Sequence, residues 1–285
     1  MNVQLRTRAG VFLVVAALVL LALPPIVAAQ EQEQVILDWE EDAAGNPLQS
    51  GQVIDDEYHT TSGVSVTVKV ESTYDTAAIF PSDNPPVSGG TVIDPDLGTP
   101  NETCPGGGPG VGDGGEVGEP GENCMSHENV LIIPTVWDRN GDGFIDGLPN
   151  DDAAGGVITF LFSEEVIIDY AEILDQESSE ALTINAYADT AGTQLLVSQS
   201  PAGFGDNSYE NIEMNALGAR RIDFDFAGSG AIASVAYTPV TQTAINLSGI
   251  SASSGATGIY IALAVAVLAI LSVALVALRY SWKQG

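Results

Sequence analysis

Along the central part of the chain, apolar and polar side chains alternate in short runs. Val64, Val66, Val68 and Val70 interleave with Ser65, Thr67 and Lys69, the period-two pattern of a half-buried strand. Leu182, Ile184 and Ala186 alternate with Thr183 and Asn185, and Ile222, Phe224 and Phe226 with Arg221, Asp223 and Asp225. Residues 157–162 (VITFLF) are apolar at nearly every position, as a central sandwich strand requires. Further strands are predicted at 35–40, 77–80, 129–134, 165–174, 194–198, 211–214 and 232–237. Gly, Pro, Asn and Asp cluster between these runs, and no helical period intervenes. Roughly ten strands at this spacing predict an all-β fold, a jelly-roll-like β-sandwich.

The two ends of the chain break this pattern. Arg6 and Arg8 precede an apolar run from Val11 to Leu23, and Val27-Ala28-Ala29 follows. That order of charge, apolar core and small residues predicts a signal peptide over 1–29. Residues 259–278 are uncharged and apolar. At about 1.5 Å per residue they reach about 30 Å, the thickness of a bilayer core. Arg279 and Lys283 follow, with Tyr280 and Trp282 at interface height. The expectation is an exported ectodomain over 30–240, a Ser/Gly/Ala/Thr-rich linker over 241–258, a single transmembrane helix and a cytoplasmic tail over 279–285.

Charge narrows the partners. All 38 acidic residues lie between Glu31 and Asp225, where Lys69, Arg139, Arg220 and Arg221 are the only bases. Such a field repels phosphate and excludes nucleic acid as a partner; it suits solubility in salt, divalent cations, or both.

Cys104 and Cys124 bracket a Gly-rich stretch inside the long insertion 82–127. A disulfide there would staple a floppy loop. The rival is zinc, since Cys124 and His127 stand at ligand spacing, but a fourth ligand is missing. Asn101-Glu102-Thr103 and Asn246-Leu247-Ser248 match the N-glycosylation pattern.

The sharpest chemical signal is Asp138-Arg139-Asn140-Gly141-Asp142-Gly143-Phe144-Ile145-Asp146. It matches the opening of a calcium loop. Ca²⁺ takes six to eight oxygens at about 2.3–2.6 Å, so carboxylates must converge from a tightly curved backbone. Asp138, Asn140 and Asp142 supply side chains, Phe144 its backbone carbonyl, and Asp146 a direct or water-mediated ligand. Ile145 would pin the loop to the core. Pro149 stands where a bidentate Glu is usual, so Asp151 or Asp152 must substitute or the site stays weaker and more hydrated. Two other acidic groups, Asp38-Glu40-Glu41-Asp42 and Asp55-Asp56-Glu57, are candidates for further cation sites or simply solvated runs. Trp39 and Trp137 are core residues or sugar platforms. The chain has two histidines and no recognisable nucleophile, zinc-protease or P-loop motif.

Several stretches carry a family resemblance: Ile36-Leu37-Asp38-Trp39-Glu40, Ile54-Asp55-Asp56-Glu57-Tyr58, Ala78-Ile79-Phe80-Pro81-Ser82, Asp96-Leu97-Gly98-Thr99-Pro100-Asn101, Asn129-Val130-Leu131-Ile132-Ile133, and Asp151-Asp152-Ala153-Ala154-Gly155-Gly156 leading into Ile158-Thr159-Phe160. With these the exported region resembles a β-sandwich domain of bacterial secreted and surface proteins, galactose-binding-like or jelly-roll in type, found with varied C-terminal anchors. The resemblance implies surface attachment or carbohydrate recognition, with no established enzymatic role. The Cys-bracketed insertion and the Asp138 loop depart from it, and no sortase or PEP-type sorting motif precedes the apolar C-terminal segment. The expected function is a surface binding or adhesion module for a glycan or envelope component, with structural calcium. The alternatives are a polysaccharide hydrolase using a carboxylate pair and a structural envelope component.

Overall fold

The computed structural model describes residues 33–61 and 63–240. The expected signal peptide, linker, transmembrane helix and tail lie outside the described residues. Among the described residues no helix is long and apolar enough to cross a membrane.

The fold is all-β. Its strands are β1 (Val35–Leu37), β2 (Val66–Glu71), β3 (Ala78–Pro81), β4 (Val87–Ser88), β5 (Thr91–Val92), β6 (Asn129–Ile132), β7 (Gly156–Leu174), β8 (Leu182–Tyr187), β9 (Leu195–Gln199), β10 (Tyr209–Phe226) and β11 (Ala231–Pro239). Except for the small β4–β5 hairpin they form one continuous antiparallel network.

Two long strands organise the network. β7 and β10 pair along almost their full lengths, with register shifts between Glu213 and Arg221. Opposite those shifts, Ser163, Glu164 and Glu165 are exposed and interrupt the apolar run of β7. Asn215 and Gly218 take left-handed backbone angles there, the bulge geometry that bends a strand. The early part of β7 pairs with β2 and with the late part of β10, which continues to β8 and β9. The late part of β7 pairs with β11, which carries β1 and β6 on its other edge, and β6 carries β3. The bend therefore yields two leaves. The sequence pattern predicts two strands, 157–162 and 165–174, one on each side of the bend, where the fold has the single strand β7, because Ser163 and Glu164 interrupt the apolar run.

The leaves close on a single apolar core containing Val68, Phe160, Phe162, Ile184 and Phe224 from one and Ile168, Ile173, Val235 and Tyr237 from the other. Phe162 packs edge-on against Tyr237 at 5.2 Å. Trp39 is fully buried between them. It stacks on Phe160 at 5.8 Å, and its indole N–H donates to the Ile232 carbonyl at 2.7 Å. Its left-handed backbone, φ 65°, ends β1 short of the expected residue 40. Burial removes Trp39 as a sugar platform.

A second apolar cluster joins Phe80, Leu97, Val130, Ile132 and Leu174. It lies on the other face of β6, whose Leu131 belongs to the main core. Leu97 from the 82–127 insertion covers this face, which explains why β6 is apolar at consecutive positions. The insertion has little regular structure but is not floppy. Cys104 and Cys124 form a disulfide, which consumes both thiols and disposes of the zinc alternative. Its glycines lie backbone against backbone on 204–207: a Cβ on Gly112 would meet Asp206 O at 2.4 Å, and one on Gly115 would meet Asn207 O at 2.3 Å.

Candidate functional site: acids and a cleft at one end of the sandwich

The calcium-like loop is a tight, exposed turn. Asp138 Oδ1 accepts N–H bonds from Asn140 at 3.0 Å and Gly141 at 2.7 Å, and Oδ2 accepts from Gly143 at 2.8 Å. These bonds hold the Asp138 carboxyl below its ordinary range, the Gly143 bond most. Asp146 accepts from Arg139 N and Asn140 Nδ2, and Asp142 from Phe144 N. Gly141 and Gly143 supply the positive φ angles, 76° and 87°, that the turn needs. Ile145 is buried and donates its N–H to Gly51 O at 2.9 Å, pinning the loop as its position suggested. The fold thus brings Asp138, Asn140, Asp142, Phe144 and Asp146 into one turn. Asp152 instead caps its own turn through Ala154 N, and Asp151 faces another group of acids.

That second group is buried at Asp151 and Asp175 and half-buried at Asp94 and Asp96. Asp94 Oδ2 accepts the Asp151 N–H at 2.7 Å, and Asp151 Oδ2 accepts the Gly230 N–H at 2.9 Å. Asp175 Oδ1 accepts the Asn207 N–H at 2.7 Å. Asp151 is 9% exposed and Asp175 2%. Burial, and then the neighbouring Asp94, push Asp151 up to about 8. Burial above all pushes Asp94 up to about 6 and raises Asp96, and burial with Asp96 beside it raises Asp175 well above its ordinary value. Among the described residues the only ion pair is Arg221–Asp223, at 2.6 Å. Arg220 is engaged with the Phe162 and Ser163 carbonyls, and Arg139 lies over the Trp137 ring. No base neutralises the buried acids, so they hold protons or share a cation. Their oxygens are the hard donors that Ca²⁺ selects. Sequence reasoning flagged Asp151 but not Asp94, Asp96 or Asp175. One faint signal was available: Asp175 follows directly on the apolar run that ends β7.

Beside these acids a cleft of about 820 Å³ opens between the stapled insertion and residues 203–206. Asp113, Glu116 and Glu119 line one wall, and Phe204 and Asp206 the other, with Ser178. Phe204 is 39% exposed. Glu177 is pushed up to about 7, first by a hydrogen bond shared with Asp206 and then by burial. None of the cleft residues was anticipated from sequence; Phe204 is flanked by glycines and carries no periodic signal.

The remaining candidates are peripheral. Asp55, Asp56 and Glu57 place a carboxylate oxygen each within 4.8 Å of one another, largely in solvent. In the Asp38–Asp42 run, Glu40 accepts from Asn129, and Asp42 caps the turn to Asn46. Trp137 stacks on Tyr74 at 4.4 Å. His59 meets Thr67, and His127 stacks on Tyr209.

No protein-family model matches the sequence, and no curated protein matches it. Among solved structures, the CBM32 module of AlyQ in complex with 4,5-unsaturated mannuronic acid aligns at 18% identity and a TM-score of 0.22, over 30% of this chain and 69% of that one. Truncated AlyQ with CBM32 and alginate lyase domains aligns at 16% identity and a TM-score of 0.24, over 37% of this chain and 29% of that one. At such TM-scores these likenesses carry no argument; the all-β architecture rests on the ladders described above.

Proposed function

We propose that this chain is an exported, membrane-anchored binding module with a jelly-roll-like sandwich. Its ligand is a glycan or envelope polymer, and structural calcium holds its acidic loops. The observation that carries the reading is the place of the cleft. β11 starts at Ala231, beside the Gly230 that bonds Asp151, and runs nine residues to Pro239, about 30 Å of extended chain. The chain thus leaves the sandwich at the end opposite the cleft. Loops at the end of a rigid scaffold are the usual place for recognition.

Calcium has two candidate seats. The Asp138–Asp146 turn offers exposed oxygens, and half-buried Asp94 and Asp96 with buried Asp151 and Asp175 offer others whose charge no described base offsets. A hydrolase reading is weaker. Glu177 and Asp206 share a hydrogen bond, whereas the acid pairs of glycoside hydrolases stand about 5 Å or more apart, leaving room for the sugar or a water.

The test is a glycan array probed with the full chain in mild detergent and calcium, alongside a Phe204→Ala variant. Saturable binding lost in the variant supports the reading. Self-association with no glycan bound would replace it with a structural envelope role.

A further inference from the structure

Phe204, Ser178 and four carboxylates make the cleft chemically selective, and this argument rests on the glycan-binding reading above. The ionisable side chains that line it, Asp113, Glu116, Glu119 and Asp206, are all acidic. They stand on both walls with no described base among them. An anionic sugar, such as a uronate, would be repelled at contact distance, where salt screens least. A neutral sugar would hydrogen-bond there but leave the charge uncompensated. Phe204 presents an exposed ring between the acids, a surface for the C–H face of a pyranose and for a cation held against a π-face. The walls are held in place by the disulfide and by the backbone contacts of Gly112, Gly114 and Gly115, so little ordering cost falls on the ligand.

We infer that the cleft binds an amino sugar, a glycan bearing free, protonated amines such as a glucosamine oligomer. Its ammonium groups meet the carboxylates, its hydroxyls meet carboxylates and Ser178, and its apolar face lies on Phe204. A lysine peptide satisfies the acids and can set an ammonium on the ring, but it has no pyranose C–H face to cover the ring.

The experiment is calorimetric titration of the full chain in mild detergent at about pH 6, where amines are protonated and ordinary carboxyls ionised. The probes are a glucosamine tetramer, the same tetramer fully N-acetylated, and tetralysine. The glucosamine tetramer is expected to bind at least about tenfold tighter than either of the others. Phe204→Ala and Glu116→Gln should each weaken it about tenfold without moving the melting temperature. Equal affinity for the acetylated tetramer overturns the amino-sugar inference and leaves the glycan reading intact. Equal affinity for tetralysine, whether or not Phe204→Ala weakens it, overturns it in favour of attraction for any ammonium. Binding of no glycan at all removes both.

Discussion

Asn101 and Asn207, which lie 106 residues apart, join buried carboxamides: Asn101 Nδ2 donates to Asn207 Oδ1 at 2.8 Å. Asn207 Nδ2 donates in turn to the Asp96 and Gly98 carbonyls, its N–H goes to Asp175, and its carbonyl accepts from Asn123. One side chain thus ties the insertion and the Asp94–Gly98 turn to the loop before β10. Asn207→Ala leaves several buried partners unpaired at about 1–3 kcal/mol each. We expect a loss of about 3 kcal/mol in urea denaturation, with Asn207→Asp failing similarly for want of a donor.

The same bond bears on the first glycosylation pattern. Asn101 has no exposed surface, and its Oδ1 accepts from Thr103 N and Oγ1. A sugar on Asn101 is incompatible with this fold. Mass spectrometry of folded protein from a glycosylating host should find Asn101 bare.

The insertion should respond to single methyl groups. A Cβ at Gly115 meets Asn207 O at 2.3 Å, whereas one at Gly63 meets nothing within 4 Å. Gly115→Ala should cost about 1–3 kcal/mol through overpacking and expose the insertion to protease. Gly63→Ala should carry only the strain of its positive φ. Removing the disulfide by Cys104→Ser with Cys124→Ser releases a loop of sequence separation 20 and should cost about 3 kcal/mol, read as a fall in melting temperature together with weaker ligand binding.

A pH dependence follows from Glu40. Burial, and then the neighbouring Glu128, raise its carboxyl from an ordinary 4.5 to about 7. A raised folded value means the stabilising contribution is full below the ordinary value and is lost as pH rises through about 7. Glu40→Gln keeps an acceptor for the Asn129 N–H and removes the titration. Between about pH 5 and pH 8 the melting temperature of the native protein should fall more than that of the variant; parallel curves would refute this assignment.

Calcium should act against that trend. A cation bound among carboxylates only in the folded state stabilises by about 2.7 kcal/mol at a hundredfold excess over its Kd. The rise in melting temperature should be larger at alkaline than at acid pH, because Asp151 loses its proton near 8. Comparing Asp138→Ala with Asp151→Asn distinguishes the two seats: whichever variant loses the calcium response marks the one in use. A response retained in the double variant would exclude both seats.

The strands were legible where one face is buried. Leu182–Tyr187 alternates in the structure as in the sequence, and 129–134 and 165–174 were found within a few residues. The continuity of β7 was not, because Ser163-Glu164 looks like a break until β10 is seen bending beside it. The Asp138 turn was legible because all its groups lie within nine residues. Asp94 and Asp151 are 57 residues apart, and Asp175 joins them only through the fold, so no local spacing announces them. The cleft was hidden for a related reason: glycines that read as slack in the sequence are the surfaces on which two backbones rest.

β11 lies between β7 on one edge and β1 and β6 on the other. A pull applied after Val240 therefore enters along a strand clamped on both sides. Its hydrogen bonds are loaded together in shear, not opened one at a time. A module built this way resists tension applied at the end of β11.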